Sequence, residues 1–167
     1  MSAFDVDAVV TGVTELYEPV AEEKGFEMTV AVSPGLTIVG NRELIGQVIA
    51  NLIDNALKYG AADPQRGGQV DVAARREGSQ VVIEVADHGS GIGSADRQRV
   101  FDRFVRLEGA RSRPGSGLGL SLAAAVARLH GGVVRLEDNS PGLKVVVTLP
   151  ARDPALASPP AQAQAAE

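Results

Sequence analysis

The chain has no cysteine and no tryptophan, and its aromatics are only four phenylalanines and two tyrosines. Disulfides and thiolate metal sites are therefore excluded, and the core has to be built from Val, Leu, Ile and Ala. No apolar run approaches the roughly 18 residues that span a bilayer as a helix. The start, Met1-Ser-Ala-Phe-Asp5, lacks the basic, apolar layout of a signal peptide. A cytoplasmic setting without direct membrane contact is the expectation, with the location of any parent protein left open. A formal charge of −5 supplies no basic footprint, so nucleic acid is not the expected partner. The two histidines, His88 and His130, have no ligand-type neighbours at metal spacing. His130 ends a helical pattern, where a positive charge is favoured.

The 167 residues present suit one domain with a proper core, expected over 1–150. Residues 151–167, rich in Ala, Pro and Gln, carry no pattern and read as a disordered tail. Apolar spacing predicts a first helix over 5–24 that Pro19 kinks or breaks and Gly25 stops. Strands follow at 26–32 and 36–39, separated by the turn Ser33-Pro-Gly35. The next helix, 41–59, projects Ile45, Val48, Ile49, Leu52, Ile53, Ala56 and Leu57 as one apolar stripe. Strands at 70–74 and 81–86, and again at 133–137 and 143–149, are joined by hairpins, with a third helix opening near Gly115–Gly119 and stopped by Gly131-Gly132. Hairpins make antiparallel pairs, so a mixed sheet with helices packed on one face fits better than a doubly wound parallel sheet.

On the helix over 41–59, the face opposite the apolar stripe carries Gln47, Asn51, Asp54, Asn55 and Lys58. Asn51 and Asn55 lie at i and i+4, so both amide oxygens can address one point. Mg²⁺ takes oxygen ligands and completes its shell with waters and substrate phosphates. Lys58, nearly one turn further on, can meet the same phosphates as a point charge. Alone, this face reads equally well as the polar side of an amphipathic helix. At the end of the 81–86 strand, Asp87-x-Gly89-x-Gly91 places an acceptor-only carboxylate where the backbone turns, which suits the donor amine of adenine. Alone, it is also a strand-ending turn. Gly115-Ser-Gly117-Leu-Gly119 leads into a helix whose free N–H groups and dipole favour phosphate oxygens, or it is a flexible connector. It has neither the Gly-Lys-Ser/Thr of a P-loop nor the position of a Rossmann fingerprint.

Together and in this order, these segments resemble the catalytic ATP-binding domain of sensor histidine kinases, within the superfamily that includes DNA gyrase, MutL and heat-shock chaperone ATPases. The resemblance covers about residues 4–150. It implies a Bergerat-type two-layer α/β sandwich, with a mixed, mostly antiparallel sheet and helices on one face. It identifies Gln47–Tyr59 as the N box, with Asn55 as magnesium ligand, Asn51 as its polar neighbour, and Lys58 and Tyr59 facing the nucleotide. Asp87–Gly93 matches the G1 box, in which Asp87 reads adenine and Gly89, Gly91 and Ile92 border the base. Val100–Arg106 matches the F box, where Phe104 flanks the lid and Arg106 reaches the terminal phosphate. Gly115, Ser116, Gly117, Leu118, Gly119 and Leu120 match the G2 box closing over the phosphates, and residues 107–114 are expected to form a mobile lid.

The implied activity is delivery of the γ-phosphoryl of Mg-ATP to a histidine on a separate dimerisation hairpin, with a response regulator downstream. No such hairpin is recognisable before residue 41, so the sequence is expected to be either an excised fragment, the favoured reading, or a chain that acts on a histidine elsewhere. The alternatives are a conformational ATPase of the gyrase or MutL kind and a non-catalytic nucleotide-binding module. The ATPase relatives carry a Glu four residues before the N-box Asn; Asn51 stands there, and an amide cannot act as a base. A non-catalytic module would not need all four boxes.

Overall fold

The computed structural model describes residues 1–61, 67–89, 119–139 and 141–152. In chain order it forms β1 (Ser2–Asp5), α1 (Val6–Glu23), β2 (Phe26–Val32), β3 (Thr37–Gly40), α2 (Arg42–Tyr59), β4 (Gly68–Glu77), β5 (Gln80–Asp87), α3 (Gly119–Leu129), β6 (Val133–Asp138) and β7 (Leu143–Pro150). The segments expected as the lid and the F box, most of the G2 box and residues 153–167 lie outside the described residues. Ala151 and Arg152, expected to open a disordered tail, are instead tied to the domain: their N–H groups donate to the Ser79 and Thr37 carbonyls at 2.9 and 2.8 Å.

Five strands make the main sheet in the order β2-β4-β5-β7-β6. Only β2 and β4 run parallel; the β4–β5, β5–β7 and β6–β7 pairs are antiparallel. Parallel neighbours need a crossover rather than a hairpin. Here α2 lies in that crossover, which carries the N-box helix across the sheet. The mixed sheet with packed helices is thus the architecture found.

All seven apolar positions expected of α2 are buried. They share one core with Val70, Val72 and Ala74 of β4, Val81, Ile83 and Val85 of β5, Val145, Val147 and Leu149 of β7, and Ala123, Val126 and Ala127 of α3. The alternation along each strand puts these residues on the helix side of the sheet. α2 starts cleanly because the Asn41 side chain accepts a hydrogen bond from the Leu44 N–H at 3.0 Å.

Three local expectations need correction. α1 runs without a break from Val6 to Glu23, although Pro19 removes one helical donor. Its buried face, Val6, Val9, Val10, Thr14 and Ala21, continues on both sides of the proline, so packing holds the helix through it. The second short strand begins one residue later than expected and ends at Gly40. It pairs with an unforeseen strand, β1, through the register Ser2↔Gly40 to Asp5↔Thr37. Four residues with one buried side chain, Phe4, leave no alternation long enough to recognise.

Among the described residues, one buried side-chain polar atom is unsatisfied. The Thr148 hydroxyl on β7 has no hydrogen-bond partner. Replacing it by Val removes that desolvation cost and suits a strand residue, so Thr148→Val should raise stability by about 1 kcal/mol. Urea denaturation of both proteins checks this; a lower midpoint for the variant would contradict it.

Candidate functional site

The C-terminal turn of α2 and the end of β5 meet back to back. A Cβ on Gly60 would lie 2.2 Å from the Ala56 carbonyl oxygen and 2.6 Å from the Asp87 Cβ. A Cβ on Gly89 would lie 2.8 Å from the Gly60 carbonyl carbon. Neither position has room for a side chain, and this close approach joins the N-box helix to the Asp87-x-Gly turn.

Asp87 is 9% exposed and sits at the last position of β5. Its Oδ1 accepts two main-chain N–H bonds, from Gly89 at 3.0 Å and from Leu143 at 3.1 Å. Burial pushes its carboxyl above the ordinary aspartate value, with those two bonds and the neighbouring His88 opposing. The Asp87 main-chain oxygen accepts a third bond, from Asn139 Nδ2 at 2.7 Å. Asn139, Gly142 and Leu143 belong to the β6–β7 hairpin, and nothing in the sequence pattern pointed to them. Their only sequence signal is a turn-type run, Asp138-Asn-Ser-Pro-Gly142, which does not say what the turn packs against.

On α2, Asn51, Asn55, Lys58 and Tyr59 are half-buried. The side chains of Asn51 and Asn55 make no hydrogen bond among the described residues, so both amides are open to a ligand. Lys58 does not stand alone: its Nζ lies 2.8 Å from Asp54 Oδ2, one turn back. That hydrogen bond raises the lysine pKa and keeps the ammonium charged. Tyr17 of α1 faces the same pair, its phenol pushed up by burial and by the Asp54 charge. Gly119 and Leu120 form the first turn of α3. Gly91, Ile92, Phe104, Arg106, Gly115, Ser116, Gly117 and Leu118 lie outside the described residues.

Both histidines have structural partners. His88 Nε2 lies 2.9 Å from Asp71 Oδ2. Asp71 also accepts from Gln69 at 3.0 Å and from Thr29. Burial of Asp71 would raise its carboxyl, but the bonds from Thr29, His88 and Gln69 outweigh that and hold it below the usual value. At His130, Nε2 accepts the Asn41 N–H at 2.9 Å, so Nδ1 carries the proton given to the Val126 carbonyl at 2.7 Å. The positive helix-end charge expected of His130 is thereby corrected. A proton on Nε2 would oppose the Asn41 N–H, and the neutral ring instead ties the end of α3 to the start of α2.

No group of three or more His, Cys, Asp or Glu side chains suited to a metal occurs among the described residues. A divalent ion here would depend on amide oxygens together with a ligand's own oxygens. Two open, half-buried amides on one helix face fit such a hard, mostly hydrated cation.

Residues 40–153 match the family described as "Histidine kinase-, DNA gyrase B-, and HSP90-like ATPase". The chain belongs to that family. Within it, this is an ATP-binding domain of the sensor histidine kinase kind. It is 35% identical over 151 residues to the sensor-like histidine kinase SenX3 of Mycolicibacterium smegmatis, covering 89% of this chain and 38% of that protein. The solved mycobacterial sensor histidine kinase MprB superposes with a TM-score of 0.75 at 30% identity, covering 90% of this chain and 97% of that one. The ATP-binding domain of PrrB from Mycobacterium tuberculosis gives 0.66 at 31% identity, covering 91% and 98%. The chain thus spans a little over a third of the length of SenX3. A nucleotide is the cofactor that this family brings to the site. No helix among the described residues is long and apolar enough to cross a membrane.

Proposed function

We propose that residues 1–150 bind Mg-ATP and present its γ-phosphoryl to a histidine on a separate dimerisation hairpin, in the same or a partner kinase, with a response regulator as the eventual recipient. The observation that carries this reading is the junction of α2 with β5. Through Gly60 and Gly89 it puts the carboxylate at Asp87 beside the helix that bears Asn51, Asn55, Lys58 and Tyr59. On this reading a base-reading acceptor and a polar face for metal and phosphate would border one site. Asn55, with Asn51 beside it, would hold magnesium. The ion would neutralise phosphate charge and leave positioning as the protein's main contribution.

In this reading Asp87 accepts from the adenine amine, and Gly89, Gly91 and Ile92 border the ring. Tyr59 and Phe104 pack along the nucleotide. Gly115, Ser116, Gly117, Leu118, Gly119 and Leu120 close over the phosphates, and Arg106 approaches the γ-phosphate from the lid side. Lys58 would exchange part of its Asp54 contact for phosphate oxygens. Residues 107–114 would serve as the lid, and residues 153–167 would take no part. The parent protein is cytoplasmic on the side where this domain works, whether or not it is anchored in a membrane.

Asn51 supports transfer over hydrolysis. An amide can hold a water but cannot take its proton, so bound ATP waits for an incoming nucleophile. Neither histidine of this chain is a suitable acceptor, because His130 is buried with both nitrogens engaged and His88 is bonded to Asp71. Incubation with γ-labelled ATP should leave the chain unlabelled and release little phosphate. Adding a phosphoacceptor hairpin in trans should give acid-labile label on the hairpin. Steady phosphate release in the absence of any acceptor would instead favour a conformational ATPase.

A further inference from the structure

We infer that Asn139, in the β6–β7 turn, is a specificity-determining positioning residue, because it decides which oxygen of Asp87 faces the base. This rests on the reading of Asp87 as the partner of adenine. The turn is fitted onto the main chain of Asp87 and His88. A Cβ on Gly142, whose φ is +115°, would lie 2.0 Å from the Asp87 carbonyl oxygen and 2.8 Å from the His88 Cα. Asn139 closes the turn through its own N–H, bonded to the Gly142 carbonyl at 3.1 Å. Its side-chain amide then donates to the Asp87 carbonyl at 2.7 Å. Because that partner is a carbonyl, the Nδ2 end of the amide must face it.

The consequence falls on the carboxylate. With the turn anchored by Asn139, the Leu143 N–H stands 3.1 Å from Asp87 Oδ1. The Gly89 N–H reaches the same oxygen from the other side at 3.0 Å. Two donors on Oδ1 fix the rotation of the carboxylate, and Oδ2, with no donor among the described residues, is the acceptor left for a ligand. A single fixed acceptor matches the adenine amine and opposes the guanine carbonyl. Without Asn139, the buried Asp87 carbonyl loses its side-chain donor and the turn can withdraw, taking the Leu143 N–H with it. The carboxylate is then free to rotate, and its preference for adenine weakens.

The test is calorimetric titration of ADP and GDP into wild type, Asn139→Ala, Asn139→Ser and Asp87→Asn, with thermal melting of each. Asn139→Ala should weaken ADP by about fivefold or more and narrow the ADP-to-GDP preference by a similar factor. A preference within twofold of wild type in a folded Asn139 variant overturns the inference. Asp87→Asn checks the underlying reading separately: unchanged ADP affinity there removes Asp87 from base recognition altogether. Should both Asn139 variants fail to fold, hydrogen exchange in the wild type decides. The Leu143 amide should be protected and become more so with ADP, whereas rapid exchange indifferent to ADP refutes the inference.

Discussion

Asp87→Asn should lower the affinity for ADP about a hundredfold or more and shift the remaining preference toward guanine. An asparagine would ordinarily be a mild change, because it keeps one acceptor oxygen and can turn that oxygen toward the ligand. At this position it cannot turn. The Gly89 and Leu143 N–H groups both point at the Oδ1 position, so the asparagine oxygen must sit there to accept them. Its NH₂ group then takes the place of Oδ2 and confronts the adenine amine, donor against donor. Guanine, with a carbonyl at the same point, meets that NH₂ favourably.

The wild type should also lose ADP affinity on acidification. Burial raises the free Asp87 carboxyl, with Gly89, Leu143 and the adjacent His88 opposing. The acceptor is therefore protonated at a higher pH than an ordinary aspartate would be, and affinity falls as pH drops through that raised value. Asp87→Asn should lack this acid limb. Titrations with ADP and GDP across the acidic range supply both readouts. Equal ADP affinity in the two proteins would remove Asp87 from the site.

Asn55→Ala should abolish the gain in ATP affinity that magnesium gives, a loss of roughly tenfold to a hundredfold. The amide pair supplies no formal charge, and no acidic metal cluster exists among the described residues. On the proposed reading the ion would enter with the nucleotide, with the Asn55 amide oxygen as the protein's contribution to holding it. Removing that amide takes away the protein's share of the coordination and leaves Asp87 untouched. ADP measured in a chelator should consequently bind the variant and the wild type alike. If magnesium strengthens ATP binding equally in both proteins, Asn55 is not the ligand.

On the proposed reading the two effects would separate because the residues assigned to base and metal sit on different elements. Asp87 is held by β5 and the β6–β7 hairpin, while Asn55 is carried by α2. Gly60 and Gly89 are the seam between these elements. Enlarging either glycine would push the two halves of the site apart without removing a single ligand group.

Periodicity is a local property, and what depended on it was readable along the chain. The α2 stripe from Ile45 to Leu57, the hairpin strands and the faces of α1 and α3 follow from spacings of 3.6 and 2.0 residues. The polar stripe with Asn51, Asn55 and Lys58 followed as well, because it is the remainder of the same helix. Other features rest on contacts between distant segments, which no spacing encodes. Strand alternation carries no direction, so the parallel pairing of β2 with β4 was decided by the crossover through α2. β1 exists because β3 lies beside it. His130 looked suited to a helix-end charge, but the Asn41 N–H, 89 residues away in sequence, requires a neutral acceptor. The largest such decision concerns Asp87. Its sequence neighbours marked a carboxylate at a turn, but which oxygen stays open was settled by a hairpin more than 50 residues further on, whose Leu143 N–H and Asn139 amide reach it only when β7 lies against β5.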